Sequence, residues 1–279
     1  MPRIESPTNP RIAAAVRAVA EGDRMLLEGR RMVEEALDAG VALDEVFVEA
    51  GTDEREEEDF LRRVRGEGAD GAGGAAPGAP VTFVSPRVLR RLSDLPSTRG
   101  IAALAPPPHR SLAALSSSSP SKKSSSSSPS SSLYLLLDGI QDPANVGAIV
   151  RCAEAFGVAG IVLTPGSAWP FSPRAPRASA GSALRVPIVP RVAPSDAIAW
   201  ARAYGGASLA GAEAHGGEPP ASAAKVRPLV LVLGSEGHGI SPEVEVALDR
   251  RLTLPLGGGV ESLNAAVAAG LLLFVLTRS

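Results

Sequence analysis

The strongest constraint on the fold is a stretch that changes its apolar period partway. Residues 133–157, LYLLLDGIQDPANVGAIVRCAEAFG, open with a continuous apolar run, cross a short polar loop and continue with apolar positions at helical spacing. A continuous apolar run suits a strand whose sheet is covered on both faces, as a parallel sheet flanked by helices is. Asp142 is placed to cap the helix that follows, Pro143 suits its first position and Gly157 its end. Strand, loop and helix in that order commit this region to an α/β architecture. The spacing predicts Val146, Ile149, Val150, Ala153 and Phe156 on the buried face. Arg151 then projects from another side, about 100° or more away at roughly 3.6 residues per turn.

Two later stretches repeat the logic. LVLVLGSEGHGI at residues 229–240 and LTLPLGGGVESLNAAV at 252–267 each run from a buried strand into a glycine-rich turn, where backbone can approach a ligand closely. Ser241 and Pro242 open a further helix, and Ser262 is a natural N-cap for a last helix that is apolar almost all round. Such a helix must be buried on most sides, within its domain or at a subunit interface. Capping alone explains Ser262; it explains Asn264 less readily. The expectation is that the three loops converge into one site. An arginine on a rigid helix beside a polar loop suits a phosphate, although a solvated helix arginine has the same local signature. His238 reads as a loop residue, since His109 and His215 stand in unrelated loops, and no metal site is expected. Neither a P-loop, a G-x-S-x-G elbow nor a G-x-G-x-x-G fingerprint is present: GSEGHG lacks the spacing and GGGVES lacks the Lys-Ser/Thr ending. The residues alone therefore reach a cofactor-binding α/β domain with strand-end loops and no further.

A chain of 279 residues, 44% of them hydrophobic, suits two ordinary domains. Residues 1–105 alternate helix signals (9–20, 30–38, 54–64, 86–92) with strand signals (45–48, 81–84, 100–104), a short apolar segment at 25–28 and a Gly/Ala/Pro stretch at 66–80 read as a flexible insertion. Residues 106–132 carry PPP and long serine runs and read as a disordered linker, because they offer too little apolar surface to offset the entropy of ordering. Residues 133–279 form the second domain. Strands are expected at 133–137, 160–163, 186–189, 208–211, 229–233 and 251–254, with helices at 143–156, 195–204, 242–247 and 263–276.

Net charge of −2 argues against a surface that grips nucleic acid everywhere. Arginine nonetheless outnumbers lysine 25 to 3, which fits either phosphate recognition or a compositional bias of the source genome. Basic residues dominate the first thirty-odd positions, and an acidic run follows from Glu54 to Asp59. Cys152 stands alone, which excludes an intrachain disulfide and a cysteine zinc cage and suits a reducing compartment. The longest apolar run, near 265–276, is too short to span a bilayer, and MPRIESPTNPR lacks the apolar core of a signal peptide. A cytoplasmic, soluble protein with no membrane partner is the expectation.

In order, DPANVGAIVRCAEAFG, LVLGSEGHGIS and LPLGGGVESLNAAVAAG closely resemble the motifs of the SpoU (TrmH) class of SPOUT RNA 2′-O-ribose methyltransferases. The resemblance covers about residues 133–279. More loosely, SPTNPRI, RMLLEGRRMVEEAL and RGIAALAP resemble the L30e-like substrate-binding domain of the rRNA-directed members. The resemblance implies an α/β catalytic domain with a parallel sheet and a deep trefoil knot, a small N-terminal L30e-like α/β domain, and a homodimer joined through the knotted surfaces. It implies S-adenosyl-L-methionine as cofactor, contacted by Gly234, Leu254 and Leu263, and RNA as substrate, with 23S ribosomal RNA foremost. A tRNA ribose methyltransferase and a catalytically silent RNA-binding assembly factor are the alternatives. Asn145, Arg151, Glu236, Ser262 and Asn264 match the positions assigned to the reaction. Arginine stays protonated, so Arg151 is expected to hold an RNA phosphate and polarise the 2′-oxygen. Asn145 would orient Arg151 or the ribose, Glu236 would hold loop geometry, and Ser262 and Asn264 would fix the target nucleotide. Arg3, Arg11 and Arg30 are expected RNA contacts. The serine-rich linker, the 66–80 insertion and the acidic helix from residue 54 depart from the family's pattern.

Overall fold

The computed structural model describes residues 3–52, 57–67, 78–93, 100–117, 132–204, 206–257 and 260–278. They fall into two compact units, Met1–Pro108 with Phe171–Leu184, and His109–Pro170 with Arg185–Ser279.

The first unit carries a mixed five-stranded sheet made of β1 (Arg3–Ile4), β2 (Met25–Glu28), β3 (Glu45–Glu49), β4 (Val81–Val84) and β5 (Ile101–Ala105), in the order β1-β4-β3-β5-β2. Helices α1 (Pro10–Glu21), α2 (Arg30–Asp38), α3 (Glu58–Val64) and α4 (Pro86–Leu92) complete its N-terminal part. α1 begins where Asn9 accepts from the Arg11 N–H at 2.9 Å and ends where Gly22 turns to φ 82°. Its apolar face meets Leu26, Phe47, Val88 and Leu89 in one cluster with Ile12. The short apolar segment at 25–28 is a strand, and β1 is an element the sequence did not announce: two residues carry too little pattern to read. Of the helix read at 54–64 the described part is α3, and the flexible reading of 66–80 falls mostly on 68–77, outside the described residues.

The second unit is built on six parallel strands, β6 (Leu133–Asp138), β7 (Gly160–Leu163), β8 (Ile188–Val189), β9 (Ser208–Glu213), β10 (Leu229–Gly234) and β11 (Arg250–Thr253), ordered β11-β9-β10-β6-β7-β8. The continuous apolar runs of β6 and β10 pair at the centre of this sheet, buried along nearly their whole length. α5 (Leu112–Ser117) and α6 (Pro143–Ala155) belong here, whereas α7 (Arg174–Ala178) lies in residues 171–184 of the first unit. α8 (Pro194–Ala203), α9 (Pro242–Glu245) and α10 (Ala265–Arg278) finish the second unit. Tyr134 of β6 packs edge-on against Trp200 of α8 with centroids 5.1 Å apart, and burial pushes the Tyr134 hydroxyl well above the usual tyrosine range. In the first unit, α7 supplies Arg177, whose Nε lies 3.6 Å from the buried Glu28 carboxylate. Among the described residues no helix is long and apolar enough to cross a membrane.

The disordered reading of 106–132 is corrected at its start. α5 occupies 112–117, Leu115 is 1% exposed, and the Arg110 N–H donates to Ile188 O at 2.8 Å. The reason is a mating surface that composition cannot show. Gly160 on β7 leaves the space Leu115 fills, since a Cβ there would sit 2.2 Å from the Leu115 methyl. Ser116 also receives the Trp200 indole N–H at 2.9 Å. Residues 118–131 lie outside the described residues.

Candidate active site

The carboxyl edge of the parallel sheet is held together first by Asp138, the last residue of β6. Its buried carboxylate accepts from Thr164 Oγ1 at 2.8 Å and from the Ser241 N–H at 2.7 Å, tying the ends of β6, β7 and β10 to one point. The Gly139 N–H donates to Ser167 Oγ at 3.1 Å, and the Ala168 N–H to Ile140 O at 2.8 Å. Sequence reading did not single out Asp138. The available signal was an acidic residue ending an apolar strand, a position that burial forces to find donors.

On this frame the three glycine-rich or polar loops converge. Asp142 caps α6 by accepting from the Ala144 N–H at 2.9 Å, which sets Asn145 in the first turn. The Asn145 amide donates to Glu236 Oε1, and Asn145 Oδ1 accepts from Asn264 Nδ2 at 3.0 Å. Asn264 Oδ1 in turn accepts from the N–H groups of Ala266 at 3.0 Å and Val267 at 3.3 Å. The polarity of this relay is fixed at both ends. An ionised carboxylate only accepts and helix-start N–H groups only donate, so both amides have one allowed orientation. α10 thus begins at Ala265 under Asn264, and the capping role read for Ser262 belongs to Asn264. Asn264 can both cap and donate because its side chain carries an acceptor and a donor; a serine two residues earlier is out of register for the cap.

Beside this relay lies a cavity of about 330 Å³ whose wall includes Gly234, Glu236, Leu254, Ser262 and Leu263, together with Glu213 at the end of β9. The expected contacts Gly234, Leu254 and Leu263 thus line one space. Asn145, Arg151 and Asn264 are not on its wall; Asn145 joins it through Glu236. Only glycine fits at 234, where a Cβ would fall 2.3 Å from the Gly239 carbonyl carbon. The turn closes there through reciprocal backbone bonds between Ser235 and Gly239, each 2.9 Å. Glu213, a residue sequence reading missed, pairs with Arg251, which is 3.2 Å from Glu245 as well; the Glu213 charge foremost raises the Arg251 pKa. Among the described residues no lysine, arginine or histidine stands on the cavity wall.

Arg151 is exposed on α6, and its side chain has no hydrogen bond or ion pair among the described residues. Burial pushes the neighbouring Cys152 thiol up, and the Arg151 charge offsets part of that rise. The remaining expected site residues, Arg3, Arg11 and Arg30, lie in the first unit, and each is paired: Arg3 with Glu5 at 3.2 Å, Arg11 with Glu45 at 2.6 Å, Arg30 with Glu34 at 2.9 Å and Glu57 at 3.0 Å.

Comparison with known proteins gives this arrangement a family. The profile of the SpoU rRNA Methylase family matches residues 132–274, the whole of the stretch that carries the relay and the cavity. The chain belongs to this family. A second profile, the MRM3-like substrate binding domain, matches residues 19–103 of this SpoU protein. A protein of Mycolicibacterium gilvum named an uncharacterized tRNA/rRNA methyltransferase is 33% identical over 282 residues, 99% of this chain and 85% of the relative. The 23S rRNA (guanosine(2553)-2′-O)-methyltransferase RlmP of Bacillus subtilis is 30% identical over 142 residues, 51% of this chain and 56% of that enzyme. Among solved structures, the AdoMet-bound rRNA methyltransferase from Sinorhizobium meliloti superposes with a TM-score of 0.79 at 25% identity, covering 99% of this chain and 97% of that one.

Proposed function

We propose that this SpoU protein transfers a methyl group from S-adenosylmethionine to a ribose 2′-hydroxyl of RNA, with 23S ribosomal RNA as the substrate. The observation that carries the reading is the Glu236–Asn145–Asn264 relay, which ties the start of α6, the helix that also bears the unpaired Arg151, to two loops that wall one cavity. The cavity fits the cofactor chemically. Its volume is that of a small-molecule site, its wall is mainly apolar, and among the described residues its ionisable side chains are the carboxylates of Glu213, which Arg251 neutralises, and Glu236, which suits a sulfonium cation. Bound there, the cofactor supplies an electrophilic methyl group. The chain's own residues have the other tasks. Gly234, Leu254 and Leu263 shape the wall, and Ser262 offers a hydroxyl toward the entering nucleotide. Asn145 and Asn264 hold the start of α6, and Arg151 two turns along it holds a phosphate and draws charge from the 2′-oxygen as its proton leaves to an RNA phosphate or water.

The first unit serves as an L30e-like RNA-binding module. Arg3, Arg11 and Arg30 there exchange carboxylate partners for phosphates, a change that costs least at Arg3, whose pair with Glu5 is exposed and therefore weak. The same reading draws the C-terminal segment through a deep trefoil knot; the return of α10 from the sheet edge at β11 to pack on α6 and β10 supports it. α10 also leaves Val267, Leu271 and Phe274 exposed at spacings of four and three, with Phe274 at 52% and edge-on to Phe156. An apolar stripe of that kind fits a second copy of the chain, and a homodimer completes the RNA site.

The test is tritiated methyl transfer from S-adenosylmethionine to separated rRNA and tRNA fractions, followed by mapping of 2′-O-methyl positions. Label in 23S RNA, lost in Arg151→Ala with cofactor binding intact, is the expected result. Label confined to tRNA moves the substrate to that class, and no label with cofactor bound leaves a silent RNA-binding factor.

A further inference from the structure

We infer that Trp169 and Arg191 form a stacking platform for an unpaired nucleotide flanking the methylated one. The inference rests on the RNA methyltransferase reading above and adds a recognition surface outside the three motif loops.

Trp169 stands in the loop after β7 and Arg191 in the turn after β8, so neighbouring parallel strands deliver both to the carboxyl edge that carries the relay. The Arg191 guanidinium carbon lies 4.6 Å from the Trp169 ring centroid, and the His109 ring is tilted beside the same indole at 6.4 Å. Arg110 follows His109, its N–H fixed on Ile188 O of β8. The Trp169 loop is fastened to the loop that starts α6 through Ala168 N–H to Ile140 O and Gly139 N–H to Ser167 Oγ. The platform and the helix bearing Asn145 and Arg151 therefore share one rigid rim.

Two features mark this cluster as used. Arg191 holds φ at 59°, a left-handed conformation that glycine adopts freely and arginine resists. A side chain kept at such a position, exposed and over an indole, points to a task for that side chain. The second feature is charge. In this unit Arg185, Arg202, Arg250 and Arg251 are each neutralised by a carboxylate, whereas Arg110 and Arg191, like Arg151, Arg227 and Arg278, have no ion pair among the described residues, and Arg110 and Arg191 alone of these stand beside the Trp169 cluster. Their charge is free for phosphate, while the planar guanidinium and indole offer a face to a base. Single-stranded RNA is recognised through that pairing of stacked planes with cations; an acidic peptide would use the charge and leave the planes idle.

Trp169 also provides the readout, since the other tryptophan, Trp200, is buried in the core. Titrating the full-length protein with single-stranded oligouridylate is expected to quench the Trp169 fluorescence, with the quench lost in Trp169→Phe and weakened about tenfold in Arg191→Gly. Arg191→Gly relaxes the backbone, so its melting temperature should hold or rise, which separates lost recognition from lost folding. With methylated RNA as product, kcat/KM for RNA is expected to fall about tenfold in Arg191→Gly, through KM, while calorimetric cofactor affinity stays put. A wild-type quench and KM in Arg191→Gly would overturn the platform, as would quenching by polyglutamate in place of RNA. If the wild type quenches with RNA but transfers no methyl group, the methyltransferase reading fails and the platform stands.

Discussion

Asn145 and Asn264, 119 residues apart in the chain, meet amide to amide at 3.0 Å, and their bond makes one unit of the start of α6 and the start of α10, the helix on the cavity wall. Asn264 performs two separable tasks there. Its oxygen caps α10 and its nitrogen serves Asn145. Asn264→Asp keeps the oxygen and removes the donor, so its stability should stay within about 0.5 kcal/mol of wild type while methyl transfer drops at least about tenfold. Asn264→Ala removes both and should lose about 1 kcal/mol as well. Chemical denaturation beside single-turnover transfer distinguishes the two; equal stability loss in both variants would refute the division of roles.

The neighbour of Arg151 reports on its charge. Burial raises the Cys152 pKa and Arg151 partly offsets that rise, so removing the guanidinium should slow thiolate formation further. In Arg151→Ala, the midpoint of the pH profile for Cys152 alkylation is expected to move up, and in Arg151→Lys to stay near wild type. Saturating RNA should push the wild-type midpoint in the same direction as Arg151→Ala, because a bound phosphate cancels the same charge.

How much of this was legible beforehand depends on how local the cause is. β7 was readable to the residue and α6 nearly so, because the apolar run, Asp142, Pro143 and Gly157 act within a turn or two of themselves. Gly234 reads as a close approach to a ligand, whereas what demands glycine there is the backbone of Gly239, only five residues away in the same turn. α5 was not, because what orders SLAALSS is the bare surface of Gly160, and nothing near residue 112 announces it. The exchange of cap from Ser262 to Asn264 has the same origin: Asn145 holds Asn264 in place from a distant motif. Asp138 and Glu213 were passed over because their partners Ser241 and Arg251 lie far along the chain.

The Asp249 carboxylate carries an acid-sensitive part of the stability. Arg202 foremost, through a two-pronged contact at 2.6 and 3.0 Å, and then the Leu209 N–H at 2.8 Å hold its pKa below the ordinary range. A depressed folded-state pKa means a contribution that is complete above the unfolded value, about 3.9, and vanishes as pH falls through the folded value. Both side chains are about two-fifths exposed, so the contribution is screened to less than about 1 kcal/mol. Asp249→Asn should therefore melt lower than wild type at neutral pH, and the gap should close as pH falls below the ordinary aspartate value, about 3.9, by circular dichroism. A constant gap across that range would mean that Asp249 acts through shape alone.

Two glycines of one turn should behave in opposite ways. At Gly234 an added methyl meets backbone, 2.3 Å from both the Gly239 carbonyl carbon and the Ile240 nitrogen, and neither can step aside without opening the turn. At Gly237 the same methyl meets nothing within 4 Å, and the backbone is not left-handed. Gly237→Ala is expected to leave cofactor affinity and melting temperature unchanged. Gly234→Ala should cost about 1–3 kcal/mol of stability, as overpacking does, and weaken cofactor binding at least about tenfold by moving the wall that Gly234 and Glu236 share. Calorimetry on both variants, at a temperature where each is folded, tests the pair. Loss of binding in Gly237→Ala would show that the turn's flexibility governs the site; retained binding in Gly234→Ala would remove this turn from the cofactor wall.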